Sequence, residues 1–204
     1  MKINQIQWVF FDIGSTLVDE SFALETQFKK TIEKHDISYD EFVSKIDEYT
    51  RLGKHGYREA CKYYGLETKP WSSDKERLYC DTIEVLENLS KKVKLGIIAN
   101  QLPGLKERLI KLKIADYFEV IVSSSDVQLE KPDHKIFEIA LHDAKCESNE
   151  AIMIGDRIDN DILPAKQLGM NAIWVQRDFE MTDIGNLADK HVTSLREIIE
   201  IFVS

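Results

Sequence analysis

Four consecutive bulky apolar residues, Trp8-Val9-Phe10-Phe11, break off at Asp12 and run into Ile13-Gly14-Ser15-Thr16-Leu17. A run too short for a helix and this rich in aromatics predicts a buried strand. From Glu20 to about Tyr64 the rhythm changes. Phe22, Leu24, Phe28 and Ile32, then Phe42, Ile46 and Tyr49, recur at helical spacing among polar residues. Breaks at His35-Asp36-Ile37-Ser38, at Gly53-Lys54-His55-Gly56 and at Gly65 divide this stretch into three or four helices. Lys69-Pro70-Trp71-Ser72 reads as a return linker, because the residue before a proline is steered away from helix. Ser73-x-x-Glu76 then predicts a capping box for a helix over 74–90, with Leu78, Ile83, Leu86 and Leu89 apolar.

Beyond that point strands and helices alternate. Strands are predicted at 93–99, 118–122, 151–154 and 171–175, with a short one near 190–192. Helices are predicted at about 104–112, at 133–143 after Lys131-Pro132, and at 161–168, where Gly169 stops the last. Ser194-x-x-Glu197 caps a final helix. This alternation predicts an α/β protein: a doubly wound parallel sheet with right-handed crossovers, interrupted by a small all-helical insertion. The expected division is a core of 1–18 and 70–204 and an inserted domain of 19–69. Trp71 and Trp174 are expected to be packing residues.

Composition narrows the classes. The formal net charge of −9 argues against a general nucleic-acid or anionic-membrane binder. No apolar run approaches the ~20 residues that cross a bilayer, and the stretch from Met1 to Gln7 lacks a signal-peptide pattern. Cys61, Cys80 and Cys146 are odd in number and widely spaced, so neither a disulfide framework nor a zinc site is expected. The chain reads as a reduced, cytoplasmic protein, a monomer or homodimer.

Polar groups gather at the strand ends. Asp12, Asn100, the loop 123–131 and the run Asp156, Asp159, Asp161 all fall on one edge of a parallel sheet. Ligands bind just beyond the carboxyl ends of such strands. Carboxylates converging there repel one another unless a cation sits among them, and oxygen donors suit a hard ion such as Mg²⁺. Lys131 supplies positive charge for an anionic substrate or steadies a nucleophilic carboxylate. Taken singly, each residue also has a plain role: Asp159 and Asp161 as helix N-terminal acids, Lys131 as a solvated loop lysine.

In this order the residues resemble the haloacid dehalogenase (HAD) superfamily of hydrolases. Its first motif, Asp-x-Asp-Gly-Thr-Leu after an apolar strand, is met by Asp12-Ile13-Gly14-Ser15-Thr16-Leu17; its second falls at Ala99-Asn100. The third fits Lys131-Pro132-Asp133, and the fourth fits Gly155-Asp156-Arg157-Ile158-Asp159-Asn160-Asp161. The resemblance implies a helical cap inserted after the first strand and a small phosphorylated substrate. It implies that Asp12 attacks phosphorus to give an aspartyl-phosphate that water hydrolyses, and that Lys131 and the amides after Asp12 stabilise charge on the transferring group. Mg²⁺ would be held by Asp12, the carbonyl of Gly14 and Asp156, with Asp161 in support. Thr16 would stabilise the turn around Asp12 and, with Asn100 and Lys131, form the substrate site.

Two positions depart from the family pattern. Gly14 stands where phosphatases of the family carry the general acid and base, a function worth about 10²–10⁴-fold. Ala99 stands where a hydroxyl normally meets a phosphate oxygen, a role Asn100 partly covers. Weak activity on ordinary alkyl phosphates is therefore expected. The same departures support an alternative, a catalytically degraded member that binds a phosphorylated ligand or partner. Dehalogenase chemistry is disfavoured. So is a phosphonate hydrolase, which needs a buried imine-forming lysine where Lys29, Lys30, Lys34 and Lys54 read as surface residues. Asp19, Glu20 and His55 are the candidates for a replacement acid, though linker and turn positions suit them better. Arg51, Lys54 and Arg58 read as a solvated helix face, and His35, His134 and His142 show no ligand pattern.

Overall fold

The computed structural model describes residues 1–52, 54–177 and 187–202; the predicted break at Gly53 lies outside them. Strand β1 (Trp8–Phe11) is buried at all four positions and leads to the two-residue strand β2 (Val18–Asp19). Helices α1 (Ser21–Ile32), α2 (Tyr39–Arg51) and α3 (Gly56–Tyr64) come next. The chain returns through β3 (Arg77–Leu78), antiparallel to β2. It continues through α4 (Thr82–Leu89), β4 (Lys94–Ala99), α5 (Leu105–Lys111), β5 (Phe118–Ser123) and the single turn α6 (Ser124–Val127). The remainder is α7 (His134–Ala144), β6 (Ala151–Gly155), α8 (Leu163–Gln167), β7 (Asn171–Val175), β8 (Lys190–Val192) and α9 (Arg196–Ile201).

Six strands pair in parallel in the order β5-β4-β1-β6-β7-β8. The chain builds outward from β1 to one side, then crosses back to β6 and builds to the other. The topological switch point therefore lies beside β1, where open α/β sheets bind ligands. Side chains along β1 alternate between two cores. Val9 and Phe11 pack with Leu86 of α4, Leu109 of α5 and Ile198 of α9, whereas Trp8 and Phe10 pack with Phe137 of α7 and Ala165 of α8. Helices thus cover both faces, which explains why β1 is apolar throughout rather than alternating.

The chain divides into two compact units, one of Met1–Asp19 with Arg77–Ser204 and the other of Glu20–Glu76. The helical unit has its own core of Phe28, Ile32, Phe42, Ile46, Ala60 and Cys61, with the Phe28 and Phe42 rings edge to face at 5.9 Å. Of the residues expected on the apolar stripe of α1, Phe28 and Ile32 are buried, whereas Phe22 and Leu24 are 42% and 37% exposed and Ala23 is buried in their place. At the start of α3, a Cβ on Gly56 would lie 2.5 Å from the Ile46 carbonyl oxygen, so only glycine lets the two backbones approach this closely.

The helix predicted over 74–90 begins only at Thr82. Ser73–Lys75 forms one 3₁₀ turn, and the Glu76 carboxylate accepts a hydrogen bond from Trp71 Nε1 at 2.6 Å instead of closing a capping box. Pairing of β3 with β2 takes Leu78 out of the helical pattern. Likewise the helix predicted over 161–168 opens as a π-helical turn, Ile158–Ile162, before α8. At α9 the Glu197 carboxylate accepts from the Ser194 amide at 3.0 Å, while Ser194 Oγ accepts from Arg196 N rather than from Glu197 N. Among the described residues, no helix is long and apolar enough to cross a membrane.

Candidate active site

Parallel register brings the acidic residues together. Phe11 stands opposite Ile154, so Asp12 and Asp156 leave neighbouring strands one residue beyond their ends. The Asp12 amide donates to the Ile154 carbonyl at 2.9 Å, continuing the ladder into the loop. The chain then reverses tightly. The Ile13 carbonyl accepts from the amides of Leu17 and Val18, both at 2.9 Å, and Ser15 takes a left-handed conformation at φ +54°.

Lys131 comes from the loop before α7 and is placed by Asn100 at the end of β4. Asn100 Oδ1 accepts from the Lys131 amide at 2.7 Å, and its Nδ2 donates to the Lys131 carbonyl at 2.9 Å. This clamp aims the ammonium at two carboxylates: Lys131 Nζ donates to Asp12 Oδ1 at 2.6 Å and to Asp161 Oδ1 at 2.5 Å. Asp161 Oδ2 in turn accepts from the Arg157 amide at 3.0 Å, fixing the π-helical turn. Gly155 makes room for this, because a Cβ there would lie 2.4 Å from the Asp161 carboxylate. Trp174 Nε1 donates to the Asp156 carbonyl at 2.7 Å and holds the backbone of that acid.

Carboxylate oxygens of Asp12, Asp156 and Asp161 lie within 4.8 Å of one another. Burial disfavours the charge of Asp156 and Asp161. Asp156 is pushed well above the usual carboxylate range by burial and then by the negative charges of Asp12 and Asp161. Asp161 rises to about 6, burial and the repulsion of Asp12 outweighing the attraction of Lys131. Burial alone would lower the Lys131 value, but Asp12 and Asp161 raise it above that of an ordinary lysine, so the ammonium persists at neutral pH. Three carboxylates face one ammonium. The excess negative charge in a buried, all-oxygen donor set fits a hard divalent cation.

The sequence candidates separate on this geometry. Asp12, Lys131, Asp156 and Asp161 converge; Asp159 instead pairs with Arg157 at 2.7 Å on the surface. Gly14 lies in the turn and bridges to Val18. Asn100 spends both ends of its amide on the Lys131 backbone. Thr16 is fully buried, and its hydroxyl has no hydrogen-bond partner among the described residues. In the helical unit His55 is exposed at the N-terminal cap of α3, and Lys29, Lys30, Lys34 and Lys54 are exposed as well. Lys29 is held above its ordinary value by its hydrogen bond to Glu25, the wrong direction for an imine-forming lysine.

Two groups at the site take roles that the sequence pattern does not announce. Trp174, expected only to pack, also holds Asp156. Arg177, two residues beyond β7, donates from Nε and Nη2 to the Thr16 carbonyl at 3.1 and 2.7 Å. Its place on the same sheet edge as the acids is the one signal available from the sequence.

A parallel sheet with a buried lysine and three acids at its switch point defines a hydrolase core of the HAD type. The sequence profile of the haloacid dehalogenase-like hydrolases matches residues 9–175, and the chain belongs to that family of enzymes. Among its relatives is the glyceraldehyde 3-phosphate phosphatase of Pyrococcus furiosus, 29% identical over 98% of this chain and 94% of its own. The enzyme of the same name from Pyrococcus abyssi is 31% identical over 83% and 81%. A HAD phosphatase from Thermococcus onnurineus superposes with a TM-score of 0.75 at 29% identity, covering 96% and 97% of the two chains. The fold is shared also with the magnesium-bound HAD-hydrolase YfnB of Bacillus subtilis, with a TM-score of 0.79 at 18% identity over 97% and 98%.

Proposed function

We propose that this chain is a Mg²⁺-dependent phosphatase acting on a small phosphorylated metabolite, with Asp12 as nucleophile. The observation that carries the reading is the pairing of Lys131 Nζ with Asp12 at 2.6 Å inside the three-carboxylate cluster. A carboxylate oxygen of Asp12 attacks phosphorus, and the bond from phosphorus to the ester oxygen breaks with its electron pair going to the leaving group. Water then attacks the aspartyl-phosphate, releasing phosphate and restoring Asp12. Lys131 keeps its charge throughout and offsets the negative charge of the transferring group. Asn100 keeps Lys131 aimed, so its contribution to substrate binding is through that lysine.

Asp12, Asp156 and the Gly14 carbonyl are the proposed cation ligands, with Asp161 holding Lys131 and supporting the site. The bound ion would neutralise oxygens of the phosphoryl group and act as a Lewis acid. The helical unit is read as the family's cap domain. Relatives named for glyceraldehyde 3-phosphate support a small phosphorylated metabolite as the substrate class.

Gly14 has no side chain with which to protonate a departing alkoxide. Aryl oxides leave without a proton, so leaving-group chemistry should govern the rate. Steady-state hydrolysis of an aryl and an alkyl phosphate with Mg²⁺ tests this beside an Asp12→Asn control. Aryl turnover exceeding alkyl turnover by about 10²-fold or more, the worth of general acid catalysis, and vanishing in Asp12→Asn, is the expected result. Both substrates at the level of the control would overturn the proposal.

A further inference from the structure

We propose that Arg177 is a positioning residue that sets the turn carrying Asp12 and Gly14, acting through the Thr16 carbonyl. The inference rests on the reading of that turn as the site of the nucleophile and of a cation ligand. Arg177 is far from Thr16 in the chain, yet two donors on one edge of its guanidinium converge on that single oxygen, at 3.1 and 2.7 Å. Its Nη1 and Nη2 reach Asp81 Oδ2 and Oδ1 at 3.3 and 3.0 Å. The plane lies over the Tyr79 ring, 3.7 Å from guanidinium carbon to centroid. Only a planar, forked cation makes all three contacts at once.

Asp81 is itself held. Its Oδ2 accepts from Ser194 Oγ and from the Leu195 amide, both at 2.9 Å, so the anchor of Arg177 is tied to the start of α9. Arg177 is 9% exposed and Asp81 3%, which shields the pair from screening by solvent. The turn does not need Arg177 merely to stay attached to the segment that leads into α4. The next carbonyl, Leu17, already accepts from Thr82 Oγ1 at 2.7 Å and from the Tyr79 amide at 3.2 Å. What Arg177 adds is a fixed orientation for the peptide two residues past Gly14. A tilt of that peptide would re-aim both the Gly14 carbonyl and the Asp12 side chain.

The test compares Arg177→Met and Arg177→Lys with wild type in three readouts: amide hydrogen exchange in the turn, Mg²⁺ binding by titration calorimetry with the metal alone, and aryl phosphate kinetics. In Arg177→Met the Leu17 and Val18 amides, which bond the Ile13 carbonyl, should exchange at least about tenfold faster, as expected for losing hydrogen bonds from a charged donor. Exchange in β4 and β6 should not change. The Mg²⁺ dissociation constant should rise by about the same factor, and kcat should fall with little change in KM. Arg177→Lys, which keeps the charge but not the fork, should recover part of each. Unchanged turn exchange, or faster exchange spread equally over the sheet, would overturn the proposal. Should Arg177→Met fail to fold, Arg177→Lys against wild type carries the same comparison. A wild type without turnover would sink the phosphatase reading, while the exchange data would still decide the role of Arg177.

Discussion

Gly155 controls how tightly the acids gather around Lys131. The hydrogen of its α-carbon faces the Asp161 carboxylate, and a methyl group would stand 2.4 Å from that group. Gly155→Ala must therefore push Asp161 off Lys131 or distort the end of β6. We expect a stability loss of about 1–3 kcal/mol, the usual cost of overpacking, measured by urea denaturation. Activity should fall further than that loss explains, because Lys131 would be left with one partner. Near-normal turnover in Gly155→Ala would show that the Asp161–Lys131 contact is dispensable. Much at this scale is legible from the sequence. Asp12 and Asp156 stand immediately past the ends of apolar strands, and Lys131 and Asp161 lie in the segments that follow strand ends, so the chain order points to all four. Arg177 shares only the position past a strand end; its role is not legible, because its partner is a backbone carbonyl far away in the chain. For Trp174 hydrophobicity shows the packing but not the indole N–H that holds Asp156.

At the scale of elements, the segment before α4 explains one departure from the predicted helix. Asp81 occupies the N-terminal cap position of α4, but its side chain serves Arg177, Ser194 and the Leu195 amide rather than the helix. Leu78 reads as helical only because a two-residue strand is too short to show its own period. The Asp81 network also carries a pH signature. Burial would raise the Asp81 value, yet Arg177, Ser194 and the Leu195 amide outweigh it and bring it below the ordinary 3.8. A carboxyl whose value is depressed by folding stabilises the fold above its unfolded value, and that contribution is lost as the pH falls through the folded value. Asp81→Asn should be less stable than wild type at neutral pH by about 3–5 kcal/mol, the cost of breaking a buried pair. That gap should narrow in acid below the ordinary carboxylate range. A gap independent of pH would mean that Asp81 acts by shape alone.

At the scale of the molecule, two units divide the work of folding. The α/β unit buries β1 between two helical layers and delivers its strand ends to one edge, while the helical unit closes a core of Phe28, Phe42 and their neighbours. The alternation of strands and helices makes the sheet and its winding readable, because burial on both faces forces continuous apolar strands. Helical periodicity is less informative in the inserted unit, where it finds Phe28 and Ile32 but also selects the partly exposed Phe22 and Leu24 and misses the buried Ala23.

In the proposed mechanism Asp12 receives the phosphoryl group, and nothing at Gly14 hurries its release. Rapid-quench reaction of the Mg²⁺-loaded protein with an aryl phosphate, then mass spectrometry of its peptides, tests both halves together. The predicted result is a burst of aryl product close to one equivalent per chain, with a phosphoryl group on the peptide containing Asp12, and neither in Asp12→Asn. Turnover without a burst would contradict slow release, and a phosphoryl group on any other residue would contradict the assignment of Asp12.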